Sequence, residues 1–185
     1  MEQNALRKKM WEEAGKAGLA LGLVSTAYLL ITSLLGGVEM AAFLNMTLTF
    51  ILWAVKFAAC IWLMLFFMRR YARINADADN SATFRFGVIT ALLSALIYAA
   101  ASFANIAFIS ADTYAEQMNM LMEQMAPMMD SNTMEQMDKM MGNMPQITFF
   151  SNLIYCFFYG TILSFILSRN VPSRNPFADH TSDEW

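Results

Sequence analysis

The sequence predicts an all-α fold: a four-helix transmembrane bundle with a Met-rich amphipathic helical segment between helices three and four on the outer side. Three observations predict it. Of the 185 residues, 57% are hydrophobic and only 15% are charged. A soluble domain carries about 25% charged residues, so this chain cannot clothe a water-facing surface. Four runs are free or nearly free of charge, and about 20 apolar residues are enough to cross a bilayer core as a helix. The runs also lack the alternation, in segments of roughly ten residues, that marks a membrane β-barrel.

The first run lies between Lys16 and Glu39 and predicts a helix over about 15–36. It is too long for the apolar core of a cleavable signal peptide and shows no clear cleavage site. The second, from Met40 to Met68, is broken only by Lys56 and predicts a helix over 40–69. The third, between Arg85 and Asp112, predicts 84–111; the fourth, apolar from Ile147 to Arg169, predicts 147–169. Between the last two lies an outer segment, 112–146. Thr113 with Glu116 reads as a capping box for a helix reaching about Met129. Asp130-Ser131-Asn132 interrupts that pattern, and Asn132 with Glu135 predicts a second short helix ending at Gly142. Residues 1–170 thus form one membrane domain, and 171–185, with Pro172 and Pro176, form an extended tail.

Charge placement orients the bundle. Arg7, Lys8, Lys9 and Lys16 precede helix one, Arg69, Arg70, Arg73 and Arg85 join helices two and three, and Arg169 and Arg174 follow helix four. The opposite side holds Lys139 alone. The positive-inside rule puts both termini in the cytoplasm, with Gly36-Gly37-Val38-Glu39 and 112–146 facing outward. The expected location is a bacterial inner membrane.

The outer segment holds eleven of the seventeen methionines. Met118, Met122, Met125 and Met129 fall on one helical face, as do Met134, Met137, Met141 and Met144. Two readings follow. Flexible, polarizable thioethers suit packing or a partner-docking face. Thioethers are also soft ligands that suit Cu(I), although no histidine accompanies them.

No acid lies within any span, and Lys56 lies near the middle of helix two. It lies thirteen residues from Arg69, roughly 20 Å along a helix rising 1.5 Å per residue. A lysine at that depth costs about 2.5–3.5 kcal/mol on insertion scales and should face the bundle interior. Counting the same distance from Lys16, Arg85 and Arg169 arrives at or beside Tyr28, Tyr98 and Tyr155. The expected arrangement is an intramembrane polar cluster of Lys56, Tyr28, Tyr98 and Tyr155, held by hydroxyl hydrogen bonds or cation–π contacts. Trp53, one turn away, shares the face of Lys56. The cluster reads either as polar glue between helices or as a site for an anionic lipid, a substrate or a proton.

Small residues predict where helices approach closely: Gly18, Gly22 and Thr26 on helix one, and Gly87, Ala91, Ala95 and Ala99 on helix three. Trp62, Phe66, Phe67, Phe149, Phe150, Phe157 and Phe158 suit lipid or a partner. Asn45, Asn105 and Asn152 lie near the outer ends of their spans and could hydrogen-bond to one another or line a small polar vestibule.

Several functions are excluded by what is missing. Cys60 and Cys156 sit in apolar runs, and the single histidine, His180, lies in the tail. Neither a thiolate nor a histidine-based metal centre has its residues, and nor does a catalytic triad. No basic stripe with interleaved aromatics serves nucleic acid, and no Gly-rich phosphate loop is present. Asp77-x-Asp79 is explained by a solvated loop. No cofactor is implied, and the chain is expected not to be an enzyme.

The opening Gly15-Lys-Ala-Gly18…Gly22, the basic Arg69-Arg-Tyr-Ala-Arg73 leading to Phe84-Arg-Phe-Gly87, the long outer segment ending in Pro145, and Arg174-Asn-Pro-Phe177 together resemble the small membrane proteins of domain-of-unknown-function family 4199, typical of Bacteroidota. The resemblance implies a four-helix inner-membrane protein without a known reaction. It also implies a partner among membrane glycosyltransferases that use polyprenyl-phosphate carriers, because family genes lie near theirs. The methionine density departs from the family's usual Glu- and Lys-rich outer segment. The expected function is therefore an accessory or scaffold subunit, with the lipid bilayer and another membrane protein or a second copy as partners. The alternative is a small oligomeric transporter or Cu(I)-handling protein that uses Lys56 and the methionines.

Overall fold

The computed structural model describes residues 2–36, 42–75, 80–125 and 130–171. Among the described residues six α-helices follow one another: α1 Glu2–Gly36, α2 Ala42–Ile74, α3 Asn80–Ala104, α4 Ala111–Met125, α5 Ser131–Gly142 and α6 Met144–Ser168. One π-helical turn, Asn105–Ile109, extends α3. Of these helices, α1, α2, α3 with its π turn, and α6 are long and apolar enough to cross a membrane. Several expected features lie outside the described residues: the Gly37-Val38-Glu39 turn, Asp77 and Asp79, Met128 and Met129, and the tail with His180 and Arg174–Phe177.

The central helix is α3, which packs along both α1 and α6. Absent side chains permit this. A Cβ on Gly18 would stand 2.7 Å from Leu93 Cβ, and one on Gly22 would stand 2.8 Å from Ile97 Cβ. On the other flank, a Cβ on Gly87 would meet Ser164 Oγ at 2.7 Å, and one on Gly160 would meet Ala91 Cβ at 2.6 Å. No driving force equivalent to water exclusion holds helices together in lipid, so close backbone approach supplies the attraction. Ala91, Ala95 and Ala99 are buried along this seam. The α2 helix is different. It leans on α1 and barely touches α6.

The buried apolar core gathers toward the basic end. Met64, Met68 and Phe86 are at most 1% exposed and pack with Ala14, Ala17 and Leu167. Tyr71 stacks on Phe86 with ring centroids 4.5 Å apart. Outside this core, Glu13 accepts from Lys16 at 2.6 Å and lies 3.8 Å from Arg70, tying α1 to α2. Exposed aromatics clothe the outer surface, including Trp62, Phe66, Phe150 and Phe158. A membrane protein turns such residues toward hydrocarbon.

Three local expectations are corrected. Thr113 lies inside α4, which begins at Ala111, so it is not the cap. The π turn places Ser110 at the junction instead, where its N–H donates to Asn105 O and its hydroxyl pairs with Ser33 at 3.0 Å. The cap of α5 is Asp130 rather than Asn132: Asp130 Oδ1 accepts from the Thr133 N–H at 3.0 Å. A carboxylate at the helix start satisfies an otherwise orphaned amide and suits the positive end of the helix dipole. Hydrogen bonding from the Thr133 side chain, and then from its amide, holds the Asp130 carboxyl below the usual aspartate range. Pro145 does not precede the last helix but sits in its first turn, where its missing N–H costs nothing. Asn105 is buried, Asn45 and Asn152 are half-buried, and no hydrogen bond joins the three among the described residues.

Candidate functional site: a membrane crevice around Lys56

The gap between α2 and α6 leaves a crevice of about 140 Å³ floored by α1 and α3. Leu21, Ala91, Ala95 and Met64 supply apolar walls, while Ser25, Lys56, Cys60, Ser94, Tyr98 and Cys156 bring polar or reactive groups to it. Helical periodicity explains the set from α2: Trp53, Lys56, Phe57, Cys60 and Met64 recur at three and four residues and share one face.

Lys56 is half-buried, with its Nζ 4.8 Å from the centroid of the Tyr28 ring and 4.7 Å from that of Tyr98. The ammonium therefore sits between two aromatic faces, each within cation–π range. No salt bridge to Lys56 exists among the described residues, where Glu13 pairs with Lys16 and Arg70 instead. A weak Ser25–Cys60 contact at 3.9 Å lies on the same wall.

Tyr155 takes a different place. It borders the crevice but is 70% exposed, and its ring stacks on Tyr159 with centroids 6.4 Å apart. The reason is helical phase. Successive residues turn by about 100°, and Gly160 and Ser164 fix which side of α6 meets α3. Cys156 lies near that side and lines the crevice, whereas Tyr155 is rotated to its mouth. Opposite stands Trp53, 48% exposed and stacked between Phe50 and Phe57. Phe57 meets Tyr159 at 5.8 Å and bridges α2 to α6 beside the opening. The crevice thus opens sideways, toward the hydrocarbon. Counting thirteen residues back from Arg169 reaches Cys156 itself, whereas Cys60 and Tyr159 are lining residues that the sequence reading does not connect with Lys56; their four-residue spacing from Lys56 and Tyr155 is the available signal.

The methionine segment stands apart from this crevice. No residue of α4 is fully buried. Met118, Met122 and Met125 are half-buried on one side, while Met120 is 61% exposed. On α5 and the start of α6, Met137, Met141 and Met144 are half-buried, and Met140 is 58% exposed. The backbone of Met134 belongs to α5, but its side chain lies outside the described residues.

Four apolar spanning helices, with aromatic surfaces turned outward and a crevice open to lipid, define a polytopic helical membrane protein. The model of the protein family of unknown function DUF4199 matches residues 16–169, and the chain belongs to that family. No curated protein and no solved structure matches it.

Proposed function

We propose that this protein is a non-catalytic accessory or scaffold subunit of a membrane complex, in a bacterial inner membrane and with both termini cytoplasmic. The observation that carries the proposal is the incomplete bundle. The α2 helix packs on α1 and scarcely on α6, which leaves polar groups beside an opening in the hydrocarbon. A bundle that served only itself would close over them. The outer helices add a second surface: a half-buried methionine row beside exposed Met120 and Met140 gives an adaptable face for another protein. The charge distribution of ten basic residues against one supports the orientation. The family resemblance directs attention to a polyprenyl-phosphate glycosyltransferase as the partner.

The test is purification from native membranes in mild detergent, with quantitative mass spectrometry of the eluate. The proposal expects one stoichiometric membrane protein. It also expects that protein's yield to fall when Met118, Met122 and Met125 are all replaced by Ser. A chain that elutes alone or only with itself would contradict the proposal. That result would favour the second reading, an oligomeric transporter or Cu(I)-handling protein, for which the methionine rows on α4 and α5 are the relevant feature. Cu(I) titration of the purified protein would then be decisive.

A further inference from the structure

We propose that the mouth of the crevice is covered by a transmembrane helix of a different protein, and that this helix carries an Asp or Glu at mid-membrane depth whose carboxylate pairs with Lys56. The inference rests on the accessory-subunit reading and names the chemistry of its partner.

Two polar groups at the opening lack partners. Lys56 has aromatic neighbours but no counter-charge among the described residues. The hydroxyl of Tyr155 has no hydrogen bond among the described residues, although its residue is 70% exposed near the middle of α6. Exposed polar groups at that depth face hydrocarbon, where an unsatisfied group costs several kcal/mol. Pairing is the usual solution for an intramembrane ionisable residue.

Three facts select the occupant. The first is depth. Lys56 is thirteen residues from Phe43 and thirteen from Arg69, about 20 Å from each at 1.5 Å per residue. A hydrocarbon core of about 30 Å keeps lipid headgroups some 15 Å from its centre, out of reach. The second is size. The crevice, about 140 Å³, is smaller than the roughly 300–1,000 Å³ of small-molecule sites. It admits one side chain, not a ligand with its own tail. The third is charge. No Asp or Glu occurs between Ala14 and Val38, Met40 and Ala76, Asn80 and Ala111, or Met140 and Ala178's neighbour Phe177. A second copy of this chain therefore has no mid-membrane acid to offer. A carboxylate on a foreign helix meets all three requirements, and the aromatic rim of Trp53 and Tyr155 gives that helix a surface to lie on.

The experiment replaces Tyr155 with the photo-crosslinking residue p-benzoylphenylalanine, irradiates native membranes and maps the adduct by mass spectrometry. The same residue at lipid-facing Leu23, 55% exposed on α1, is the control. The expected adduct is specific to position 155 and falls on a transmembrane segment holding Asp or Glu. Lys56→Gln should lower its yield about tenfold, the change that corresponds to roughly 1.4 kcal/mol, and Lys56→Arg should retain most of it. Neutralising the partner's acid should lower the yield equally while leaving this chain intact, which keeps the test decisive if Lys56→Gln is poorly expressed. Lys56→Glu combined with that acid changed to Lys should restore it. Adducts only to lipid, only to a second copy, or only to a helix without an acid would overturn the inference, as would a yield indifferent to Lys56. A stoichiometric partner in the mild-detergent eluate without a position-155 adduct keeps the accessory reading and overturns the crevice pairing. A chain that purifies alone overturns both.

Discussion

The basic half of the bundle and its middle are built from the same four helices but packed by opposite rules. Toward the basic end, Met64, Met68 and Phe86 are sealed, Tyr71 stacks on Phe86, and Glu13 ties α1 to α2. About two to three turns away, α2 separates from α6 and Lys56 faces a crevice that opens to the membrane. The contrast separates two tasks. The sealed half holds the fold together. The open half leaves unpaired chemistry at a depth where only another membrane-embedded group can reach it.

Breaking the sealed half should have the largest effect. Phe86→Ala removes a ring that is 1% exposed, and such truncations cost about 3–5 kcal/mol in well-packed interiors. Unfolding in detergent should register most of that loss. Phe57→Ala, at the 38% exposed bridge to Tyr159, should cost under about 1 kcal/mol by the same assay, as surface changes usually do. Equal losses would erase the contrast.

Overfilling the α3–α6 seam comes next. Gly160→Leu drives a side chain into Ala91, whose Cβ already stands 2.6 Å from where a Cβ would be. A penalty of about 1–3 kcal/mol is expected, readable as a lower unfolding midpoint. Lys56→Met should behave in the opposite way. The isolated protein should unfold at the same or a higher temperature, since a half-buried cation without a counter-charge among the described residues is removed. A clear loss of stability would make Lys56 a structural strut.

The smallest effect belongs to the outer helices. The Asp130 carboxyl is held below its ordinary value by hydrogen bonds from the Thr133 side chain and amide. A depressed carboxyl stabilises the folded form above its unfolded pKa, about 3.9, and that stabilisation is lost as the pH falls through the lower folded value. Amide exchange at Thr133, corrected for intrinsic pH dependence, should therefore accelerate only at acid pH. Asp130→Ala should show the faster exchange already at neutral pH.

The four spans are legible in the sequence because hydrocarbon demands long uncharged runs, and little else produces them. The lines Gly18–Gly22 and Gly87–Ala91 likewise announce close approach by composition. Gly160 and Ser164 have the same four-residue spacing, but spacing alone does not name the neighbour, and their part in the α3–α6 seam emerges only when Ala91 and Gly87 face them. Counting from the basic ends puts Lys56, Tyr28, Tyr98 and Tyr155 at one level, but level does not fix direction. The α6 seam turns Cys156 inward and Tyr155 to the mouth. The π turn at Asn105 leaves no pattern in composition, and α4 begins just after it at Ala111, two residues ahead of Thr113. At α5, Asp130 and Asn132 both suit a cap, and only the backbone selects Asp130.

The two cysteines permit the most direct test of the open crevice. Cys60 and Cys156 are the chain's only thiols, both are half-buried, and both line the crevice. Their alkylation by a small membrane-permeant maleimide can be timed in native membranes and in the purified chain. A crevice filled by a partner predicts protection in native membranes and at least severalfold faster labelling once the chain is alone. Equal rates in the two settings would contradict the account, because the crevice would then be either closed in both or open in both.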